Sequence, residues 1–233
     1  MTTPQSPIGD AEIDARWATI LNAATSVQAV LPGTLMIGGS AIAVHTGHRL
    51  SGDVDMVRRN LDRDWHDVRA ELEELSSWTT DYPKIPVNLT GRFDGARVSI
   101  RKLNRIRDIE ISTFDHEGRA LVVASQDELV RMKLLAILSR NLTRDYVDLV
   151  ALDAGLREIG TSAVSALTSL DDYYAPARGD SSLTREVLAA LADPQPREAD
   201  PQSALDELVD LRSSLSEWPQ LQVACQRIVA EVS

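Results

Sequence analysis

The sequence predicts an α+β protein, in which a mixed β-sheet with flanking helices comes first and a helical bundle follows. Short apolar or alternating segments, typical of strands, occur up to residue 123, whereas every strong apolar period beyond that point is helical. Aromatic residues make up only 4% of the chain, so we expect an aliphatic core. We therefore predict a sheet-containing core domain, residues 1–123, and a helical domain, residues 124–233.

The first domain is predicted to alternate helices with strands. Apolar residues three and four positions apart indicate helices, and short alternating runs bounded by turn residues indicate strands. The predicted helices are Asp10–Leu31, Ser40–Thr46 and Asp62–Trp78. The predicted strands are Leu35–Ile37, a segment carrying Asp53 and Asp55, Val87–Arg92, Ala96–Leu103, Asp108–Phe114 and Arg119–Val123.

The second domain is predicted to contain helices only. A Pro-rich polar linker, residues 193–201, interrupts it. The predicted helices are Gln126–Arg140, Arg144–Leu156, 162–170, 182–192, 203–215 and 218–231.

Composition restricts the compartment and the function class. The single cysteine, Cys225, excludes an intramolecular disulfide and favours a reducing compartment. The N-terminal segment lacks the charge and apolar run of a signal peptide, and no apolar run is long enough to span a membrane. We therefore expect a cytoplasmic protein without a membrane partner.

The net charge of −11 argues against a protein that coats nucleic acid without specificity. The charge is uneven, however, because residues 91–146 carry a net +3. This basic segment is either the solvated face of a hairpin and a helix or a rim for a triphosphate and a polyanionic acceptor.

A glycine turn and a pair of carboxylates are the most informative motif. Gly38 and Gly39 separate a predicted strand from a helix that begins at Ser40, and Asp53 and Asp55 follow on the next strand. Because strand side chains alternate, both carboxylates project from one face. Mg²⁺ is bound in proteins by one or two carboxylates plus phosphate oxygens. The backbone N–H groups of the turn suit a phosphate, and the Ser40 hydroxyl can add a donor. The unit predicts Mg²⁺-dependent nucleotidyl transfer from an NTP.

This segment, GGSAIAVHTGHRLSGDVDM, resembles the AbiEii/AbiGii nucleotidyltransferase toxins, within the polymerase-β-like nucleotidyltransferase superfamily. A second segment, RMKLLAILSRNLTRDYVDLVAL, resembles the downstream helical motif of that family, a Lys followed by R-D-x-x-D. The resemblance covers roughly residues 35–152. It implies a polymerase-β-like mixed sheet and two Mg²⁺ ions at the carboxylate pair.

The resemblance also implies roles for further residues. A third carboxylate on a neighbouring strand should complete the metal site and accept a proton, and Glu110 is the best candidate, with Asp108 and Asp115 as alternatives. Lys133 is implied as a triphosphate ligand that Asp145 or Asp148 positions, so that the helical domain contributes to the site. The remaining implied nucleotide contacts are Gly38, Gly39, Ser40, Arg49, Ser51 and Asp145.

Each of these residues also has an ordinary structural interpretation. The glycine pair could be a simple tight turn, and Asp53 and Asp55 could be exposed carboxylates on an edge strand. Lys133 could reach water from an amphipathic helix, and acidic residues favour a helix N-terminus. The two histidines at positions 45 and 48 have no metal-binding spacing with a cysteine or a second pair, so a zinc site is not expected.

The sequence therefore predicts a Mg²⁺-dependent enzyme that transfers NMP from an NTP to an acceptor hydroxyl. The resemblance implies a toxin with a separately encoded antitoxin, and RNA, such as the tRNA 3′ end, as acceptor. Two alternatives stay open. One is a nucleotidyltransferase that acts on an aminoglycoside-like small molecule or a protein side chain, and the other is a nucleotide-binding interaction module without catalysis.

Overall fold

The computed structural model describes residues 3–4, 11–81, 85–105, 107–174 and 182–232. The chain forms two compact units. One comprises residues 1–104 and 110–125, and the other residues 105–109 and 126–233. Among the described residues, none of the helices combines the length and the apolar character that crossing a bilayer demands.

The first unit is built around a seven-stranded mixed sheet, which confirms the predicted α+β class. Its helices are α1 (Ala11–Val30), α2 (Gly38–Thr46) and α3 (Leu61–Glu73). Its strands are β1 (Leu35–Ile37), β2 (Asp53–Arg58), β3 (Trp78–Thr80), β4 (Asn88–Phe93), β5 (Ala96–Lys102), β6 (Ile111–His116) and β7 (Arg119–Ala124). The spatial order is β3-β4-β5-β2-β1-β7-β6. Strands β2 and β5 are parallel, as are β1 and β7, and the remaining pairs are antiparallel.

Alternation along β2 and β5 separates an apolar set of side chains from a polar set. Val54, Met56, Val98 and Ile100 are fully buried. Both α1 and α3 pack against strands of this part of the sheet, and their apolar side chains enclose the core. The intervening residues of β2 and β5 project to the other face and carry the polar groups described below.

In the part of the chain that the structure describes, the second unit has no strands and is built from helices, as predicted. These are α4 (Gln126–Ser139), α5 (Thr143–Glu158), α6 (Ala163–Thr168), α7 (Leu170–Tyr173), α8 (Leu183–Ala192), α9 (Pro201–Asp206) and α10 (Trp218–Ala230), with a 3₁₀ turn at Ser213–Leu215. Helix α4 packs against α5, α6 and α8, and α10 packs against α5 and α8.

Several predicted boundaries are wrong. The helix predicted over Asp62–Trp78 ends at Glu73, and Trp78 begins strand β3. The indole of Trp78 lies against Gly91 of β4, a contact that a Cβ at position 91 would block. The helix predicted over 203–215 ends at Asp206, and Asp210, between it and the 3₁₀ turn, adopts a left-handed conformation with φ of 53°. Asp10, the predicted start of the first helix, lies outside the described residues.

Candidate active site

The glycine pair opens α2 and leaves room for three side chains. Gly38 has a φ of 76°, and a Cβ on it would lie 2.8 Å from Oδ2 of Asp55. A Cβ on Gly39 would lie 2.7 Å from Nη2 of Arg49 and 2.8 Å from Oγ of Ser51. Since real Cβ atoms do not approach other atoms so closely, the absence of side chains lets these groups pack against the turn. The turn therefore gathers Asp55, Arg49 and Ser51 around the N-terminus of α2.

Asp53 and Asp55 lie on one face of β2, two residues apart. Their side chains are 54% and 34% exposed, whereas Val54 between them is fully buried on the opposite face. Asp55 lies opposite Ile37, the last residue of β1, so it is next to the glycine turn in the sheet. The structure thus brings together Gly38, Gly39, Asp55 and Ser51, as the sequence predicts.

Ser40 fixes the helix to the strand. It is fully buried, and its hydroxyl donates to the carbonyl oxygen of Asp53 at 2.5 Å. A hydroxyl has one proton to donate, and here the proton is used within the protein. Ser40 therefore positions the start of β2 in this structure, and the predicted contact of its hydroxyl with a phosphate stays a prediction.

Arg49 lies beneath the turn. It is 7% exposed, and its Nη1 donates to the carbonyl oxygen of Leu50 at 3.4 Å. A buried guanidinium next to the N-terminus of α2 adds positive charge where the helix dipole already favours anions. His48 is also buried, and its Nδ1 is 2.8 Å from Oγ1 of Thr46. His45 is held by the carbonyl oxygen of Ala124, and burial lowers its pKa although that hydrogen bond opposes the shift.

Arginines occupy the strand next to the carboxylates. The parallel register of β2 and β5 aligns Asp53 with Arg97, Asp55 with Ser99 and Val57 with Arg101. Arg97 Nη1 is 3.9 Å from Asp53, and Arg101 Nη2 is 3.4 Å from Asp55. The sequence left open whether the arginines of the basic segment form a rim or a solvated face, and their pairing with the carboxylates was not predicted. The Arg-x-Ser-x-Arg alternation of Arg97, Ser99 and Arg101 is the sequence feature from which this pairing could have been predicted.

Glu110 does not lie on a strand next to the carboxylates. Strand β6 begins at Ile111, one residue after Glu110, and two strands separate β6 from β2. At about 4.8 Å per strand, three steps place Glu110 about 14 Å from β2. Ile111, the first residue of β6, is 54% exposed. The structure therefore does not join Glu110 to Asp53 and Asp55, and its role as third metal ligand stays a prediction that the strand order does not favour.

Asp108 and Asp115, the alternative candidates for the third carboxylate, also do not lie on a strand next to β2. Asp108 precedes β6, and Asp115 lies on β6, the strand at the edge of the sheet. Within the described ranges, no cluster of three His, Cys, Asp or Glu side chains is arranged to hold a metal ion. The carboxylate pair nevertheless fits Mg²⁺, because that ion is held by as few as two protein carboxylates when water and substrate phosphates supply the other oxygens.

The second unit contains a separate buried charge cluster. Lys133 Nζ is 3.0 Å from Oδ1 of Asp145 and 2.6 Å from Oδ2 of Asp148. Both carboxylates are fully buried, and Arg140 donates two hydrogen bonds to Asp145. Burial acts to raise the pKa of Asp145, but the hydrogen bonds from Arg140 and the charge of Lys133 lower it on balance. Lys133 is thus bound within its own unit, and its predicted contact with a triphosphate stays a prediction.

The basic segment is not exposed along its whole length. Arg97 and Arg101 are exposed on the sheet, but Arg105 belongs to the second unit, where it forms a buried ion pair with Glu128. The guanidinium groups of Arg105, Arg107 and Arg131 lie within 5.0 Å of the Tyr173 ring centre. The side chain of Arg105 is therefore enclosed within the helical unit and is not available as part of a rim.

A model of the family described as "Nucleotidyl transferase AbiEii toxin, Type IV TA system" matches residues 19–224. No curated protein sequence matches the chain. Among solved structures, the chain is similar to MenT4, a nucleotidyltransferase toxin from Mycobacterium tuberculosis H37Rv, at 14% identity and a TM-score of 0.54, over 95% of this chain and 82% of that one. It is also similar to the antibiotic-resistance factor ANT(2'')-Ia at 10% identity and a TM-score of 0.50, over 68% of this chain and 91% of that one. At these identities the structural matches establish the fold.

Proposed function

Because the chain belongs to the AbiEii nucleotidyltransferase toxin family, we propose that it transfers a nucleoside monophosphate from an NTP to an acceptor hydroxyl. The acceptor oxygen forms a bond to the α-phosphorus, the bond from that phosphorus to the β-phosphate oxygen breaks, and pyrophosphate leaves. The observation that supports this reaction is the position of Asp55 against Gly38, which unites a carboxylate pair with a phosphate-binding turn.

The residues of the first unit supply three parts of this chemistry. Asp53 and Asp55 would hold Mg²⁺, which supplies charge stabilisation for the phosphates and activation of the acceptor hydroxyl. The N–H groups in the first turn of α2 would donate to a bound phosphate, and the buried Arg49 next to them adds a fixed positive charge. Ser40 and Ser51 connect α2 to the start of β2, so the phosphate turn and the carboxylates keep their spacing.

We propose RNA, and specifically a tRNA 3′ end, as the acceptor, and a separately encoded antitoxin as a partner. The toxin family supports an antitoxin and an NTP substrate. The exposed arginines of β5 next to the carboxylates support a polyanionic acceptor. A cytoplasmic location follows from this proposal, because NTPs and tRNA are found there.

The test is to incubate the protein with Mg²⁺, total RNA and each α-labelled NTP in turn, and to separate RNA, protein and small solutes. We expect label in small RNA with a preference for one NTP, and none with the Asp53→Asn variant. Label in a supplied aminoglycoside or in protein would overturn the RNA acceptor but retain nucleotidyl transfer. No Mg²⁺-dependent NTP consumption with any acceptor would overturn the enzymatic function.

A further inference from the structure

The part of the polar face that β4, β5 and β2 form carries more positive than negative charge. Asp53 and Asp55 lie on β2, Arg97 and Arg101 on β5, and Arg92 on β4. The antiparallel register places Arg92 directly opposite Arg97. Like charges directly opposite on neighbouring strands destabilise a sheet. This arrangement favours an anion that lies between the two guanidinium groups.

The carboxylates bind these arginines only weakly. The Arg97–Asp53 and Arg101–Asp55 distances, 3.9 and 3.4 Å, exceed the 2.7–2.9 Å typical of charge-assisted hydrogen bonds. The side chains of Arg97 and Arg101 are 55% and 59% exposed. Exposed ion pairs of this geometry contribute little to stability. Both guanidinium groups can therefore turn toward another ligand at little cost.

A bound cation would increase the excess of positive charge. The five charged side chains sum to +1, and one Mg²⁺ on the carboxylates raises the total to +3. The arginines would then lose their carboxylate partners while remaining one strand spacing, about 4.8 Å, from the metal ligands. Phosphate matches this environment, because guanidinium groups bind phosphate oxygens in bidentate geometry.

We infer that Arg97 and Arg101, with Arg92 beside them, form a phosphate-binding subsite on β5 and β4. This inference rests on the proposed function, since it places the subsite next to the reacting groups. The phosphate comes either from the triphosphate of the nucleotide or from a phosphodiester of the acceptor. A polycationic acceptor such as an aminoglycoside is repelled by this face.

Hydrogen bonds within and between β5 and β4 position the subsite. Arg101 Nε donates to Ser99 Oγ at 3.3 Å, and Ser99 Oγ donates to Oδ1 of Asn88 at 3.2 Å. Asn88 Nδ2 in turn donates to Thr90 Oγ1 at 3.2 Å. This chain of bonds holds the stem of Arg101 against the sheet while its terminal nitrogens stay exposed.

The test measures binding without turnover, by calorimetric titration of inorganic pyrophosphate and of a short oligoribonucleotide, each in EDTA and in Mg²⁺. We compare the double variant Arg97→Gln/Arg101→Gln with Arg63→Gln, which removes an exposed charge from α3. We expect the double variant to bind at least one of the two anions at least about tenfold more weakly, because each lost charged hydrogen bond contributes on that order. Arg63→Gln should bind both as the wild type does.

The pattern of losses identifies the source of the phosphate. Weaker binding of pyrophosphate alone assigns the subsite to the nucleotide, and weaker binding of the oligoribonucleotide alone assigns it to the acceptor. If the double variant binds both anions as the wild type does, the subsite is overturned. This holds even if the double variant binds Mg²⁺ more tightly, because that result would show that the arginines serve only as counter-ions of the carboxylates. A wild-type protein that binds these anions through the arginines but transfers no nucleotide overturns the proposed function and leaves the subsite standing.

Discussion

The carboxylate of Asp55 lies against Gly38, so closely that a Cβ at position 38 would stand 2.8 Å from Oδ2. Gly38 also has a positive φ of 76°. Two separate constraints therefore require glycine here, one from the backbone conformation and one from the neighbouring carboxylate.

Gly38→Ala should reduce nucleotide transfer at least ~10²-fold, because a displacement of a catalytic group by about 1 Å is enough for such a loss. Gly33→Ala is the matched control, since Gly33 has a φ of 84° but no atom within 4 Å of an added Cβ. It should lose only about 1–2 kcal/mol of stability from the left-handed conformation and keep its transfer rate. Steady-state kinetics and urea unfolding of both variants check this. Equal transfer rates in the two variants would contradict the steric role of Gly38.

Asp53→Asn and Asp55→Asn should each lower the transfer rate at least ~10²-fold, by analogy with the removal of one electrostatic contact to a transition state. Their melting temperatures should stay near that of the wild type, because both side chains are partly exposed and their ion pairs are weak. Asp67→Asn, an exposed change on α3, is the control for lost negative charge. A wild-type transfer rate in either β2 variant would exclude the carboxylate pair as the metal site.

Lys133→Met should destabilise the helical unit by about 3–5 kcal/mol, because it leaves Asp145 and Asp148 buried without their shared cation. Lys102→Met, which removes the partly exposed partner of Asp62, should change stability little. Urea unfolding followed by circular dichroism measures both effects. If Lys133→Met unfolds like the wild type while the KM for NTP rises, the ammonium serves the nucleotide and not the carboxylates.

The thiol of Cys225 should not react with a disulfide reagent at pH 8 in the folded protein. It is fully buried on α10, and burial raises its pKa to about 12, so almost no thiolate is present. In urea the chain should react with one equivalent, since it has a single cysteine. Absorbance of the released thiolate gives the stoichiometry. Complete reaction without denaturant would show that α10 opens under native conditions.

The sequence alone determined the fold class, the glycine turn at the start of α2 and the position of Asp53 and Asp55 on one face of a strand. These features depend on local rules, namely the alternation of side chains along β2 and the freedom of glycine at the start of α2. Apolar periodicity is also a local rule, and it predicts the helical second unit and most of its helices. It does not predict α7 or the interruption of the helix expected over 203–215.

Only the tertiary structure decided which residues surround the carboxylates. Strand order places β5, with Arg97 and Arg101, next to β2 and places Glu110 three strands away, although both segments follow β2 in sequence. The tertiary structure also showed that the Ser40 hydroxyl donates to the Asp53 carbonyl oxygen and that Lys133 forms ion pairs with Asp145 and Asp148. Strand pairing and buried ion pairs join residues that are distant along the chain, and local propensity carries no information about which partners the folded core selects.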